Sequence, residues 1–259
     1  MLGQAREHAV RWARPAPRVH WRGHVEHLVR QWDRKLLISL LFLIAVDIGF
    51  VAIYSVHEIY NLLHKDDATP LDFRWRIGAD HSYAEFFGYA KALAAAALLI
   101  WTHRLSGKWI YSVWAGVFAS VVLDDALLIH ERLGRALAGP SSSDWEWDMG
   151  QLAIWVVVGL PLLAITVASL VRSSGQERTN GVLLLATLLA LGFFVVAIDL
   201  AHVLLRASFT GASQVFTVIE EGGEQLVLSL AVALTVLIRR SKRRSSAAPG
   251  LIARSPAIR

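Results

Sequence analysis

Residues 36–56 read LLISLLFLIAVDIGFVAIYSV, an apolar run in which Asp47 is the single charged residue. A helix that crosses a membrane needs about 20 consecutive apolar residues to span the hydrocarbon core. Five more stretches of similar character follow, at 84–102, 109–129, 150–171, 181–205 and 213–238. The sequence therefore predicts an all-α, polytopic membrane helix bundle of about six transmembrane helices.

The composition agrees with this class and restricts the chemistry. Hydrophobic residues make up 55% of the chain and the mean hydropathy is +0.45, values typical of a polytopic membrane protein. There is no cysteine, which excludes disulfides and thiolate metal sites. Any bound metal is therefore expected to have imidazole and carboxylate ligands.

Three segments are expected along the chain. Residues 1–35 form a basic arm, in which Val25, Leu28 and Val29 recur at the spacing of an amphipathic helix lying in the membrane interface, over residues 24–32. Residues 36–238 form the six-span domain. Residues 239–259 form a basic tail, which we expect to be disordered because it is rich in Ser, Ala, Pro and Arg.

Basic residues predict the orientation. They lie in the N-terminal arm, in the turn with Arg104 and Lys108, in the turn with Arg172 and Arg178, and in the run 239–244. Segments of this kind stay in the cytoplasm, so both termini are predicted to be cytoplasmic in a multi-pass protein of the bacterial inner membrane. The basic ends suit anionic lipid of the bilayer, and no nucleic-acid partner is expected.

A layer of acids and histidines lies in or beside the apolar runs, near the outer ends of three predicted spans. A charge at membrane depth is costly, so it usually faces the bundle interior and marks a site or a pathway. So many acids cannot all be ionised in a dry site, and a divalent cation would neutralise them. A hydrogen-bonded cluster that only fixes helix packing is the alternative. The layer comprises Asp124, Asp125, His130, Glu131, Asp199, His202, Glu220, Glu221 and Glu224.

Helical spacing indicates which of these side chains can bind a metal together. Asp199 and His202 are three residues apart, like the Glu-x-x-His pairs of di-iron bundles, although a second acid-x-x-His pair is missing. Glu131 and Glu220 are candidate general bases. The predicted ligands of a divalent metal, Zn or Fe, are Asp125, His130, Asp199, His202, Glu221 and Glu224.

Four further charges are expected to be buried. Asp47 and Lys91 lie near the middle of the first and second spans, so they can form an ion pair that fixes two helices or take part in a proton relay. Asp124 and Glu85 lie nearer the outer end.

Two motifs resemble those of an uncharacterised family of bacterial multi-spanning membrane proteins. Asp124-Asp125-x4-His130-Glu131 is similar to Asp-Glu-x4-His-Glu, and Glu220-Glu221-Gly-x-Glu224 is similar to Glu-Glu-x-x-Glu. Asp125 replaces a glutamate, which keeps the carboxylate but shortens it. The resemblance implies a shared site, and no known activity accompanies it.

Three functions are consistent with these patterns. The first is a metal-dependent membrane hydrolase or oxidase that acts on a lipid-like or small substrate at the outer leaflet. The second is a transporter or channel for protons or divalent cations, for which the Asp47–Lys91 pair would continue the path inward. The third is an accessory subunit of a larger membrane complex, or a homo-oligomer.

Overall fold

The computed structural model describes residues 21–64, 69–140, 143–173, 175–205 and 211–247. Helices dominate these residues, and no strand occurs among them. In this part of the chain, six helices are long and apolar enough to cross a membrane. The predicted all-α membrane bundle is therefore confirmed.

Nine α-helices and two other helical segments follow one another in the described residues. The elements are α1 (Trp21–Val29), α2 (Arg34–Leu63), a 3₁₀ turn (Phe73–Trp75), α3 (Tyr83–Ser106), α4 (Ile110–Leu127), α5 (Ile129–Ala138), α6 (Asp144–Arg172), α7 (Gly175–Gly192), the π-helical segment (Phe193–Ile198), α8 (Asp199–Leu205) and α9 (Ala212–Ala247). Five of the candidate spans are α2, α3, α4, α6 and α9, and the remaining one runs from α7 through the π-helical segment into α8.

Local sequence explains where several helices begin and end. The side chain of Asp33 accepts a hydrogen bond of 2.8 Å from the backbone N of Leu36 and so caps α2. Ser143 and Glu146 form a reciprocal capping box at the start of α6. Gly107 ends α3 with a φ of 65°, a left-handed conformation that glycine adopts without steric cost.

Helices α3, α4 and α9 form the centre of the bundle. In the most apolar segment of each of these helices, 44%, 44% and 50% of the residues are buried. The corresponding fraction is 17% in each of the other three spans, which surround them. Ala92 and Ala95 of α3 are buried and allow close approach of neighbouring helices, as small residues do in membrane bundles. Tyr111 and Trp114 fill the core at the base of α4.

The start of α2 and the end of α9 meet at one end of the bundle. Arg240 lies 2.9 Å from the carboxylate of Asp33, and Lys242 lies 2.7 Å from that of Glu177. The guanidinium of Arg239 lies 3.7 Å from the ring centre of Trp101. The basic segments in the described residues are thus grouped at one end, and the acidic layer lies at the other. That the basic end is cytoplasmic stays a prediction.

Helix α9 continues well beyond the predicted end of the last span. It reaches Ala247, so residues 239–247 of the predicted tail are helical in the structure. The physical reason is that Arg239 and Lys242 pack on α3 and α7 through Trp101 and Glu177. Residues 248–259 lie outside the described residues, as do residues 1–20 of the predicted arm.

The helix predicted over residues 24–32 is α1, which ends at Val29. Leu28 is buried against Leu36 and Leu237, whereas Val25 and Val29 are exposed. One apolar position therefore anchors α1 to the bundle, and the exposed ones suit the predicted position in the interface.

Candidate functional site

The third span is interrupted between its two pairs of polar residues. Leu128 has a φ of 51°, which ends α4 and starts α5 in a new direction. His130 turns back as a result, donating from its backbone N to Asp124 Oδ1 at 3.1 Å and from Nδ1 to Asp124 Oδ2 at 2.8 Å. Residues six apart in a continuous helix do not share a face, so the break creates this contact.

Asp124, Asp125 and His130 form the first group of possible metal ligands, the His130 group. One ligand atom from each lies within 4.8 Å of the others. Because Nδ1 of His130 donates to a carboxylate, Nε2 is left to bind a metal, as in the carboxylate–histidine–metal arrangement. Burial lowers the pKa of His130, but its hydrogen bond to Asp124 and the charge of that residue outweigh burial, so the pKa is raised.

The π-helical segment Phe193–Ile198 leads directly into Asp199 and shifts the register of the fifth span. Asp199, His202 and Glu220 form the second group, the His202 group, whose ligand atoms also lie within 4.8 Å of one another. His202 Nε2 lies 2.8 Å from Ser213 Oγ, and Nδ1 lies 3.9 Å from Glu220 Oε2. In the tautomer in which Nε2–H donates to Ser213, Nδ1 keeps a lone pair that a metal between it and the carboxylates could accept.

Asp199 differs in burial from the other members of the His202 group. It was expected inside the bundle, but its side chain is exposed, whereas His202 and Glu220 are half-buried. An exposed carboxylate in a membrane span needs a neutralising partner.

A cavity of about 390 Å³ opens beside these groups and is called the acidic cavity. Helices α3, α4, α6 and α9 contribute to its wall. Glu220 lines the cavity and also belongs to the His202 group, so it connects the two. The apolar part of the lining, called the apolar wall, includes Val117, Val121, Leu163 and Leu188. The acidic or imidazole side chains on its lining are Asp80, Glu85, Asp125, His130, Glu131, Glu220, Glu221 and Glu224.

Gln225 marks the inner part of the acidic cavity. It is 6% exposed, and its side-chain Oε1 has no hydrogen-bond partner among the described residues. Gly88 makes room for it, since a Cβ at that position would lie 2.9 Å from Gln225 Nε2. Buried acceptors are nearly always satisfied, so this atom points to an ion, water or ligand in the cavity.

Two glutamates on the lining have different surroundings. Glu85 is tied into the start of α3, where it accepts hydrogen bonds from the backbone N of His81 and from the hydroxyl of Tyr89. Glu131 makes no such capping contact. Burial, followed by the charge of Asp80, raises the pKa of Glu131 above that of an ordinary glutamate, which makes its carboxylate a better proton acceptor.

Asp47 and Lys91 form the buried ion pair that their depth suggested. Lys91 Nζ lies 2.7 Å from Asp47 Oδ1 and also donates to the backbone O of Gln225 at 2.7 Å and to Ser229 Oγ at 3.2 Å. Ser229 in turn donates to Asp47 Oδ2 at 2.6 Å. All three ammonium protons and both carboxylate oxygens have partners, which is typical of a structural pair.

The predicted ligand set is divided in the structure. Asp125 and His130 fall in one group, and Asp199 and His202 in the other. Glu221 and Glu224 line the cavity without belonging to either group.

Some residues of the site were predicted from the sequence with a different role, and others were not predicted. Asp124, expected only as a buried charge, and Glu220, expected as a base, both belong to ligand groups. Asp80, Trp155 and Gln225 line the cavity and were not predicted. Only Gln225 had a sequence signal, because it follows Glu221 at the i+4 spacing of one helix face.

Comparison with known proteins gives a family but no activity. No curated protein and no solved structure matches the chain. A family model described as a domain of unknown function, DUF8692, matches residues 35–245, which includes all six spans and both ligand groups. This agrees with the resemblance to an uncharacterised family. The chain therefore belongs to the DUF8692 family of domains of unknown function.

Proposed function

We propose that this protein binds a divalent metal, Zn or Fe, at the His130 and His202 groups and uses it for hydrolysis or oxidation of a lipid-like or small substrate. The observation that carries the proposal is the position of Glu220, which belongs to the His202 group and lines the same acidic cavity as Asp125 and His130. A substrate in that cavity would lie beside both groups. The apolar wall suits its hydrocarbon part.

The donor set fits such a metal. Imidazole and carboxylate are ligands of both Zn and Fe, and each histidine has a second partner for its other ring nitrogen, Asp124 for His130 and Ser213 for His202. Glu221 and Glu224 lie on the cavity wall and are available as further carboxylates. A bound metal would supply an activated water or oxidant at neutral pH.

The remaining side chains have roles that need no metal contact. Glu131 accepts a proton during the reaction, since burial raises its pKa and it lines the cavity. Glu220 is the alternative base whenever it is not a ligand. The leucine and valine side chains of the wall exclude water and hold the apolar part of the substrate.

Elemental analysis of the purified protein tests the proposal. We expect Zn or Fe in stoichiometric amount, lost from the His130→Ala/His202→Ala double variant. Glu58→Gln is the matched control, because Glu58 lies at the same end of the bundle but is not part of the cavity lining. Protein that is purified without chelator and contains no transition metal would contradict the proposal.

Transport of protons or divalent cations is a second candidate. Gln225 favours it, since its side chain lines the acidic cavity while its backbone O accepts from Lys91, and so it connects the cavity to the Asp47–Lys91 pair. The test is proton or metal flux into liposomes. Flux that Asp47→Asn abolishes would support transport, and no flux in the wild-type protein would exclude it.

The proposed setting is the bacterial inner membrane, with both termini in the cytoplasm and the acidic cavity opening toward the outer leaflet. The basic residues grouped at the opposite end of the bundle support this orientation. Membership of a larger membrane complex, or of a homo-oligomer, stays a prediction that co-purification would test.

A further inference from the structure

A second pocket adjoins the acidic cavity and is called the vestibule. Its volume is about 620 Å³, and it is formed chiefly by α5 and the residues that follow it. Asp80, Leu128 and Glu131 line both the vestibule and the cavity, so the two spaces adjoin at these residues. A ligand that extends past these three side chains would contact both spaces.

The vestibule differs from the cavity in carrying cations. Arg132 and Arg135 line it from one face of α5, where they are three residues apart. Both are exposed, and the described residues place no carboxylate within ion-pair distance of either guanidinium, although Asp80 and Glu131 line the same space. Two neighbouring guanidiniums whose charge is not taken up by a carboxylate at ion-pair distance can bind an anion together, although Glu131 lies close enough to interact with Arg135 through its charge.

Trp147 holds one of these arginines in place. The guanidinium of Arg135 lies 4.8 Å from the centre of the Trp147 ring, a cation–π contact that keeps the side chain against α6. The tryptophan therefore covers one side of the guanidinium, and the N–H groups that point away from the ring remain to meet a ligand. A positioned guanidinium loses less conformational freedom on binding than a free one.

We propose that the vestibule and the acidic cavity together bind a phosphate monoester amphiphile. The phosphate lies at Arg132 and Arg135, and the alkyl chain follows Leu128 and Val121 along the apolar wall. Two guanidiniums match a phosphomonoester, which carries close to two negative charges at neutral pH, better than they match a carboxylate with one. The proposal names the substrate class of the proposed function and rests on it only for the chemistry that follows binding.

Binding of radiolabelled dodecyl phosphate to the full chain in neutral maltoside detergent, measured by scintillation proximity, tests the proposal. The variants are Arg132→Gln/Arg135→Gln and, as a matched control, Arg74→Gln, which removes an exposed arginine at the same end of the bundle. We expect the double variant to bind about tenfold more weakly or worse, because two charge-assisted contacts are lost, and the control to bind as the wild type does. Equal binding by the double variant and the wild type would overturn the proposal.

Competition distinguishes the possible sources of the anion. Inorganic phosphate is expected to displace the probe only at concentrations on the order of 100-fold higher, because it lacks the buried alkyl chain. Dodecanoate is expected to compete less well than unlabelled dodecyl phosphate. Competition by inorganic phosphate at equal concentration, or by dodecyl glucoside as strongly as by dodecyl phosphate, would also overturn the proposal.

Failure of this proposal is distinguishable from failure of the proposed function. The binding measurement is repeated after chelator treatment, and arginine-dependent binding is expected to remain without metal. If the protein contains metal but shows no arginine-dependent binding, only the proposed phosphate monoester substrate is ruled out. Arginine-dependent binding to protein that never contains metal would leave the amphiphile site in place and remove the metal chemistry. Thermal stability of the double variant, expected to equal that of the wild type, shows that it is folded.

Discussion

Asp124 accepts two hydrogen bonds from His130, one from the backbone N at 3.1 Å and one from Nδ1 at 2.8 Å. The contact exists because the chain leaves the helical path at Leu128 and returns the histidine toward the end of α4. It assigns Asp124 the role of orienting the imidazole, while Asp125 and Nε2 of His130 remain for a metal. That division of roles leads to the first prediction.

Asp124→Asn is expected to weaken metal binding by about 10- to 100-fold, the usual effect of removing a carboxylate that orients a ligating histidine. The measurement is competition with a chelator of known affinity. Glu58→Gln is the control, since Glu58 contacts Gln214 and lies outside the acidic cavity. Unchanged affinity in Asp124→Asn would show that the hydrogen bond does not serve the metal.

The pH dependence of stability is expected to change sign when metal is bound. In the metal-free protein the pKa of His130 is raised above its ordinary value of 6.5, so the protonated histidine stabilises the fold below that value and the contribution is lost as pH rises through the raised pKa. A metal binds only the neutral imidazole of His130, so the stability that bound metal contributes increases as pH rises through the same range. Thermal melts from pH 6 to 9, with and without Zn, measure both slopes. His130→Ala is expected to reduce the pH-dependent difference to the part that metal at the His202 group contributes.

The Asp47–Lys91 pair is expected to stabilise the fold only as a pair. Lys91→Met leaves the Asp47 carboxylate buried without its cation and is expected to cost about 3–5 kcal/mol. In Asp47→Leu/Lys91→Met most of this loss is expected to be recovered, because both charges are removed together. Reversible unfolding in mixed detergent provides the free energies. Additive effects of the two substitutions would show that the contact contributes nothing.

Gly223 is expected to tolerate no side chain. A Cβ there would overlap the ring of Phe194 in the π-helical segment, so Gly223→Ala is expected to cost about 1–3 kcal/mol and to displace the segment that leads into Asp199. Metal affinity of the His202 group is expected to fall with stability. Gly116→Ala is the control, since nothing lies within 4 Å of a Cβ at Gly116. Equal melting temperatures for the two variants would contradict this packing.

The backbone conformation of Leu128 is expected to limit which residues this position accepts. Its φ of 51° is unfavourable for a residue with a side chain and worst for a β-branched one. Leu128→Ile is therefore expected to destabilise the protein by about 1–2 kcal/mol, and Leu128→Gly to be tolerated. Melting temperatures compare the two. An isoleucine variant as stable as the wild type would contradict the left-handed conformation at this position.

The sequence alone determined the number and character of the spans and the end of the bundle at which the acids lie. Apolar length decides whether a helix can cross a membrane, and that property is local. The pairing of Asp47 with Lys91 could also be predicted from the sequence. Two opposite charges that are buried at equal depth on neighbouring spans are expected to neutralise each other. The end of the last helix could not be predicted from the sequence, because contacts of Arg239 and Lys242 with other helices extend it.

Only the tertiary structure decided which acids and histidines meet. Helical spacing predicted one ligand set, yet a backbone break at Leu128 and a π-helical segment before Asp199 rotate the side chains beyond them and divide that set into two groups. The unpaired oxygen of Gln225 and the position of two arginines in the vestibule are likewise products of packing. Such features depend on the paths of several helices in three dimensions. They cannot be predicted from the regular spacing of residues along one helix.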